Sequence, residues 1–134
     1  LYGEAMAVQL GSDGISVQLI PDEPRAISDF AEQATKAIVG ADSILDNGTV
    51  INGSPTLAVA QAASDKQIPF YVLCETTKFS ALRLVSRHLW LEEGFDVVPA
   101  ELITRIITEE GTIKVDQAAV KAKQMAKYLQ TLWE

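Results

Sequence analysis

Three polar segments of the sequence hold the side chains that could do chemistry. Asp42 follows an apolar run that ends at Val39, and residues 75–78, ending in Lys78, follow a second apolar run. The third segment, residues 47–54, precedes a helix whose first free N–H groups could bind an anion. If both apolar runs are parallel strands, the segments meet at the carboxyl edge of the sheet, where open sheets bind ligands. A carboxylate beside a phosphate-sized cradle and a lysine would suit a sugar phosphate.

Each of these residues also has a plain structural interpretation. Asp42 could simply accept backbone hydrogen bonds within its loop. The two Asn-Gly pairs, at residues 47–48 and 52–53, are typical of turns. Ser54 is a common helix-capping residue, and Cys74, inside an apolar run, is typical of an inert core cysteine. Because the sequence has no Walker loop, dinucleotide fingerprint or nucleophile elbow, residue types alone leave the chemistry open.

Apolar periodicity predicts the elements that position these segments. Strands are expected at residues 15–20, 36–39, 68–74, 95–98 and 103–108, with a loop over residues 46–53. Helices are expected at residues 4–10, 24–34, 55–66, 80–91 and 115–133, the third capped by Ser54 and the last by Asp116, with one helical turn at residues 99–102. This alternation predicts a doubly wound α/β fold, an open parallel sheet with helices on both faces.

Length, net charge and residue counts exclude several classes of protein. The 134 residues are expected to form a single domain, residues 1–134. A net charge of −7 disfavours direct binding to nucleic acid or to an anionic membrane. No apolar run approaches the roughly 20 residues that span a bilayer. One cysteine and one histidine, His88, exclude a Cys/His zinc site, and we expect no metal and no cofactor. We therefore expect a soluble cytoplasmic protein.

Three ordered blocks of the sequence carry a resemblance to a known family. They read G-A-D-S-I-L-D-N-G at residues 40–48, then I-P-F-Y-V and T-T-K-F at residues 68–72 and 76–79, then F-D-V-V-P-A-E-L-I-T and I-T-E-E-G at residues 95–104 and 107–111. They resemble the family of the alpha, beta and delta subunits of translation initiation factor 2B, which also contains methylthioribose-1-phosphate and ribose-1,5-bisphosphate isomerases. The resemblance implies a Rossmann-like C-terminal half, whose first strand and N-terminal helical domain would precede Leu1.

The resemblance also implies roles for individual residues. Asp42 matches the aspartate that donates a proton in the isomerases. Asn52 and Gly53 match an Asn-Lys pair that contacts substrate, so the lysine of that pair is absent here. We expect the backbone N–H of Ser54 and the side chain of Lys78 to line the same crevice. The isomerases' catalytic cysteine belongs upstream of Leu1, so Cys74 does not match it.

Two functions stay open on these observations. The first is a non-catalytic assembly or regulatory module with a sugar-phosphate or nucleotide pocket, favoured because Gly53 replaces a lysine and no usable nucleophile is present. The second is an aldose–ketose isomerase acting on a sugar 1-phosphate in the full-length protein. In that case Asp42 is the general acid, Asn52 contacts substrate and the start of the helix after Ser54 holds the phosphate. A cysteine flanked by His or Thr upstream of Leu1 would favour the enzyme.

The closing helix suggests self-association. Met125, Leu129, Leu132 and Trp133 form an apolar stripe, and Tyr128 lies about 500° of helical rotation from Trp133. One of these two aromatic side chains is therefore expected outside the core, where it would mark a contact surface. We expect a homodimer built mainly from helices, with a phosphorylated small molecule and translation factors as further partners.

Overall fold

The structure, a computed structural model, describes residues 2–80 and 93–131. The helices in these ranges are α1 (Tyr2–Ser12), α2 (Pro24–Ala31), α3 (Thr56–Asp65) and α4 (Val115–Thr131). The strands are β1 (Ala37–Val39), β2 (Ser43–Ile44), β3 (Val50–Gly53), β4 (Phe70–Leu73), β5 (Phe95–Val98), β6 (Arg105–Thr108) and β7 (Gly111–Ile113). Short 3₁₀ turns, Thr76–Lys78 and Ala100–Leu102, follow β4 and β5.

The larger sheet has the strand order β1-β4-β6-β7, in which β1, β4 and β6 run parallel and β7 is antiparallel. Alternate residues of these strands point to one face, where alanines of α3 and α4 cover them in the main core. The central members of this core are Ala60, Ala63, Phe70, Val72, Ile106, Ala118 and Ala122. The mixed α/β fold with a mostly parallel sheet flanked by helices is thereby confirmed.

The opposite face of this sheet is open in the described part of the chain. Ile38 of β1 and Leu73 of β4 lie on that face and are 60% and 54% exposed. The helix α2 packs on α3 and so lies on the covered side, where Ile27, Ala31 and Ala62 form a second, smaller core cluster. The described helices α2, α3 and α4 therefore lie on one face of the larger sheet.

A second sheet replaces the predicted loop over residues 46–53. It has the order β2-β3-β5, and both pairings are antiparallel. The β-branched residues Val50 and Ile51 are buried and pair with β2 on one side and β5 on the other. A loop could not bury these side chains and satisfy their backbone groups at once, so the loop prediction was wrong beyond the turn at Asn47. The predicted strand over residues 95–98 is confirmed, but it belongs to this antiparallel sheet.

The predicted strand over residues 15–20 is absent. Ile15, Val17 and Leu19 alternate as a strand would, but all three are exposed and the segment has no strand pairing. Alternation alone cannot stabilise a strand, because its backbone groups need a hydrogen-bonded neighbour. The prediction was therefore wrong in the described structure, and β7, a three-residue strand with too little pattern to detect, was missed.

Both predicted helix caps were also wrong. Pro55, and not Ser54, occupies the N-cap position of α3. Asp116 lies inside the first turn of α4, where its negative charge interacts favourably with the positive end of the helix dipole. The reciprocal half of a capping box comes from Gln117, whose side-chain oxygen accepts a hydrogen bond from the Lys114 N–H at 2.9 Å.

Some predictions fall on residues outside the described ranges. The helix expected at residues 80–91 lies there apart from Ser80, and so do Leu132 and Trp133. Within the described ranges, α1, α2, α3 and α4 each lack the combination of length and hydropathy needed to cross a bilayer.

Candidate functional site

The ends of β1 and β4 place Asp42 and Lys78 at the same edge of the larger sheet. The two strands are parallel, and Val39 is aligned with Val72, so the residues that follow each strand emerge on the same side. Farther along, Ile44 forms a parallel bridge with Phe79, and the Ser80 N–H donates to the Ile44 carbonyl at 2.8 Å. The segments that carry Asp42 and Lys78 therefore run side by side.

Asn52 joins this edge through β3. The Asp42 N–H donates to the Ile51 carbonyl at 2.9 Å, which holds the loop after β1 against β3. The Asn52 Nδ2 donates to Thr56 Oγ1 at 2.9 Å, and its Oδ1 lies 4.0 Å from the place that a Cβ on Gly40 would take. The amide of Asn52 thus lies between the end of β1 and the start of α3.

Gly53 and Ser54 contact the turn before β5. Gly53 pairs with Phe95, and a Cβ at Gly53 would lie 3.9 Å from the Gly94 carbonyl oxygen. The Ser54 N–H donates to that same oxygen at 2.8 Å. This N–H is therefore engaged within the protein and is not free to bind an anion, and the position of the family's lysine carries no cation.

Asp96 is a site residue that reasoning from the sequence missed. Its Oδ2 accepts a hydrogen bond from the Leu57 N–H at 2.8 Å, so a carboxylate from β5 satisfies a free N–H at the start of α3. Asp96 also lies directly opposite Asn52 in the β3–β5 pairing. A phosphate at the start of this helix would meet a negative charge already in place. The third sequence block contains this aspartate in F-D-V-V-P, but the resemblance implied no role for it.

Glu109 is a second residue that the sequence reasoning missed. It follows β6, and its carboxylate accepts hydrogen bonds from the N–H and the hydroxyl of Thr76, which follows β4. The hydrogen bond from the Thr76 hydroxyl is the largest cause of the lowered pKa of Glu109. The backbone N–H groups of Glu109 and Thr76 and the charge of Lys121 lower it further. In the sequence, Glu109 is the first glutamate of the I-T-E-E-G motif that ends the third block.

Cys74 lies close enough to Glu109 and Lys78 for their charges to change the pKa of its thiol. Burial raises the pKa of the Cys74 thiol, the negative charge of Glu109 raises it further, and the positive charge of Lys78 opposes both effects. Because a thiol is nucleophilic only as the thiolate, this environment disfavours a catalytic role. It agrees with the interpretation of Cys74 as a structural residue.

Two cavities of the described residues lie away from Asp42 and Asn52. One, of about 230 Å³, is apolar and is lined by residues of β1, α2 and α3, including Ile38, Phe30 and Val59. Another, of about 170 Å³, is at the carboxyl edge between the 3₁₀ turn and α4, and includes Thr76 and Tyr128. Within residues 2–80 and 93–131, no group of three or more His, Cys, Asp or Glu side chains could hold a metal ion.

A mostly parallel sheet flanked by helices, with polar segments gathered at its carboxyl edge, defines the protein as a mixed α/β domain. Within that class, the profile of the initiation factor 2 subunit family matches residues 1–94, and the chain belongs to this family. The resemblance based on the three sequence blocks is thereby confirmed.

The relatives include initiation-factor-like proteins and isomerases. The chain is 37% identical to an eIF-2B subunit 2-like protein of Pyrococcus furiosus, over 83% of this chain and 44% of the relative. It is 33% identical to the ribose 1,5-bisphosphate isomerase of Archaeoglobus fulgidus, over 94% of this chain and 46% of the relative. It is 32% identical to a methylthioribose-1-phosphate isomerase of Bacillus cereus, over 85% of this chain and 39% of the relative. The chain thus spans less than half the length of these relatives.

Solved structures agree on the fold. The translation initiation factor eIF-2B of Pyrococcus horikoshii superposes with a TM-score of 0.70 at 35% identity, covering 83% of this chain and 44% of that one. A 5-methylthioribose 1-phosphate isomerase of the same organism gives a TM-score of 0.70 at 24% identity, covering 90% of this chain and 41% of that one. At that identity the second likeness concerns the fold alone.

Proposed function

We propose that this chain is a non-catalytic assembly or regulatory module of the initiation factor 2 subunit family, whose carboxyl edge is a vestigial sugar-phosphate or nucleotide pocket. The observation that carries the proposal is Gly53. It stands where the isomerase pattern has a lysine, beside Asn52 and against the carbonyl of Gly94. The edge therefore lacks, at that position, the cation expected to neutralise a substrate phosphate.

The hydrogen bonds around α3 support the same proposal. Isomerising an aldose phosphate requires a paired acid and base across adjacent carbons, and stabilisation of the phosphate charge. Asp42, which is exposed, offers one half of that pair. The N–H groups of Ser54 and Leu57, which could have held a phosphate, donate instead to Gly94 and to the carboxylate of Asp96. The positively charged Lys78 directly precedes Phe79, which forms the bridge with Ile44 that joins the two edge segments.

An activity assay on the full-length protein tests the proposal. Methylthioribose 1-phosphate and ribose 1,5-bisphosphate should both be recovered unchanged, as judged by phosphorus and proton NMR of the reaction mixture. An active isomerase of the family serves as the positive control. Measurable isomerisation that disappears in the Asp42→Asn variant would overturn the proposal.

A substitution at Gly53 tests the role of the missing lysine. The Gly53→Lys variant should bind inorganic phosphate more tightly than the natural chain, measured by isothermal titration calorimetry. Gly11→Lys is the matched control, because Gly11 lies in α1 with open space around its Cα and adds the same charge away from the edge. Equal gains in the two variants would show a non-specific charge effect and remove Gly53 from the site.

We further propose that the module acts by assembly through helices, as a homodimer and with translation factors as partners. Tyr128 is 70% exposed on α4, and Val120 and Met125 of the same helix are also exposed. Apolar side chains gathered on one element are typical of a contact surface. A structurally similar protein of Chaetomium thermophilum was solved as a tetrameric eIF2B-beta2-delta2 complex.

Light scattering at micromolar concentration tests the assembly proposal. The expected mass is twice that of the 14.5 kDa chain, and a mass near 14.5 kDa would refute a homodimer. Tyr128→Glu should shift the equilibrium towards monomer, whereas Lys127→Ala, an exposed neighbour on the same helix, should leave it unchanged. Dissociation by both variants would point to the helix as a whole and not to its aromatic surface.

The isomerase function is the second candidate, because two of the relatives described above carry isomerase names and match most of this chain. In this case Asp42 is the general acid and Asn52 contacts substrate, as the resemblance implies. The activity assay and the Asp42→Asn variant decide between the two functions.

A further inference from the structure

The hydrogen bonds of Glu109 connect two loops that are far apart in the sequence. Both carboxylate oxygens of Glu109 accept from the Thr76 N–H, at 3.1 and 2.9 Å, and one of them accepts from the Thr76 hydroxyl at 2.5 Å. Thr76 begins the 3₁₀ turn after β4, and Glu109 follows β6. The carboxylate therefore ties the turn after one central strand to the turn after its neighbour.

The segment that begins at Thr76 is held at its other end by β2. Within the turn, the N–H of Lys78 donates to Glu75 and the N–H of Phe79 donates to Thr76. Beyond it, Ser80 donates to Ile44, two residues after Asp42. Residues 76–80 are thus anchored by Glu109 on one side and by β2 on the other, with Lys78 between the anchors.

We infer that Glu109 is the positioning residue of the carboxyl edge, holding residues 76–80 so that Lys78 stays beside the segment of Asp42. A carboxylate suits this task because its two oxygens accept several hydrogen bonds at once, and hydrogen bonds to a charged acceptor are stronger than neutral ones. Glu109 acts through Thr76 and is not assigned contact with a ligand. The inference concerns the geometry of the loop, and it holds with or without the proposed function.

The neighbouring residue supplies a matched control. Glu110 lies in the same turn between β6 and β7, but it pairs with Lys121 of α4 and is not a partner of Thr76. Glu110→Gln therefore removes one negative charge from the same turn and leaves the Glu109–Thr76 hydrogen bonds in place. It separates the effect of charge from the effect of anchoring.

Amide hydrogen exchange measured residue by residue by NMR tests the inference. In Glu109→Ala, the amides of Lys78 and Phe79 should exchange about threefold to tenfold faster, the factor expected when a hydrogen bond that restrains local opening is lost. Thr76→Val, which removes the hydroxyl and keeps the shape, should give a smaller acceleration at the same amides. Thr76→Ser, which restores a hydroxyl, should return exchange to the natural rate.

Three results would overturn the inference. The first is unchanged exchange at Lys78 and Phe79 in Glu109→Ala. The second is an equal acceleration in Glu110→Gln. The third is acceleration spread evenly over the core amides, which would make Glu109 a general stabiliser. If Glu109→Ala fails to fold, the comparison of Thr76→Val with Thr76→Ser decides, because both keep the carboxylate. Since neither ligand nor oligomer enters this measurement, its failure is distinct from failure of the proposed function.

Discussion

The N-terminal region, residues 2–19, and the carboxyl edge of the sheet are stabilised in different ways. The helix α1 has no buried residue, and Ile15, Val17 and Leu19 keep their side chains exposed. At the edge, hydrogen bonds join residues far apart in sequence, such as Asp96 with Leu57 and Glu109 with Thr76. In the first region, the clear alternation of residues 15–20 therefore accompanies weak packing. At the carboxyl edge, weak sequence signals accompany hydrogen bonds between distant segments. Periodicity predicts burial only where another element is available to pack against.

The largest expected difference between the regions comes from one substitution made in each. Ile106→Ala should lower the free energy of unfolding by about 2–5 kcal/mol, because Ile106 is fully buried between α4 and β4 and its truncation leaves a cavity. Ile15→Ala, at a side chain that is 53% exposed, should change it by about 0.5 kcal/mol or less. Guanidinium unfolding followed by circular dichroism measures both values. Comparable losses would mean that residues 15–20 are packed in solution and would remove the contrast.

Two glycines with nearly the same positive φ sharpen the comparison. Gly48 has φ +82°, and a Cβ there would lie 2.5 Å from Val115 Cγ1, whereas Gly14 has φ +81° with open space around it. Alanine at Gly14 should cost about 1 kcal/mol of unfolding free energy from backbone strain alone. Alanine at Gly48 should cost more, since it adds a clash with the start of α4. Equal costs in thermal unfolding would show that α4 yields without penalty at this contact.

The cap of α3 gives a smaller effect. Asp96→Ala should lower the free energy of unfolding by about 1 kcal/mol, because the N–H of Leu57 loses its acceptor. Asp96→Asn should retain part of this stability, since its amide oxygen can still accept. Asp22→Ala, at an exposed position before α2, is the control and should have no measurable effect in the same unfolding experiment. If Asp22→Ala were as costly as Asp96→Ala, the net charge and not the cap would be responsible.

The smallest expected effect is a shift in the pKa of the Cys74 thiol. Glu109→Gln should lower this pKa, because it removes a negative charge that disfavours the thiolate, and Lys78→Met should raise it by removing a favourable positive charge. The rate of alkylation by iodoacetamide, followed against pH, reports the value directly because the chain has one cysteine. Glu110→Gln serves as the control. A rise in the pKa of Cys74 in Glu109→Gln would contradict the arrangement of charges at the edge.

The sequence by itself determined the α/β class, the central strands near residues 36–39 and 68–74, the family and the membership of Asp42 and Lys78 in the segments after β1 and β4. The α/β class, the strands and the two segments follow from local composition and from the order of elements along the chain, which periodicity records directly. The family follows instead from the resemblance carried by the three sequence blocks.

Only the tertiary structure decided which partner each polar group takes. Asp96 was visible in its sequence block, but its role depends on the pairing of β3 with β5, which brings it to the start of a helix 39 residues away. The exposure of Ile15, Val17 and Leu19 and the burial of Val50 likewise depend on the presence or absence of a neighbouring strand. Hydrogen bonds and packing between distant segments arise from the relative placement of whole elements, and local pattern carries no record of that placement.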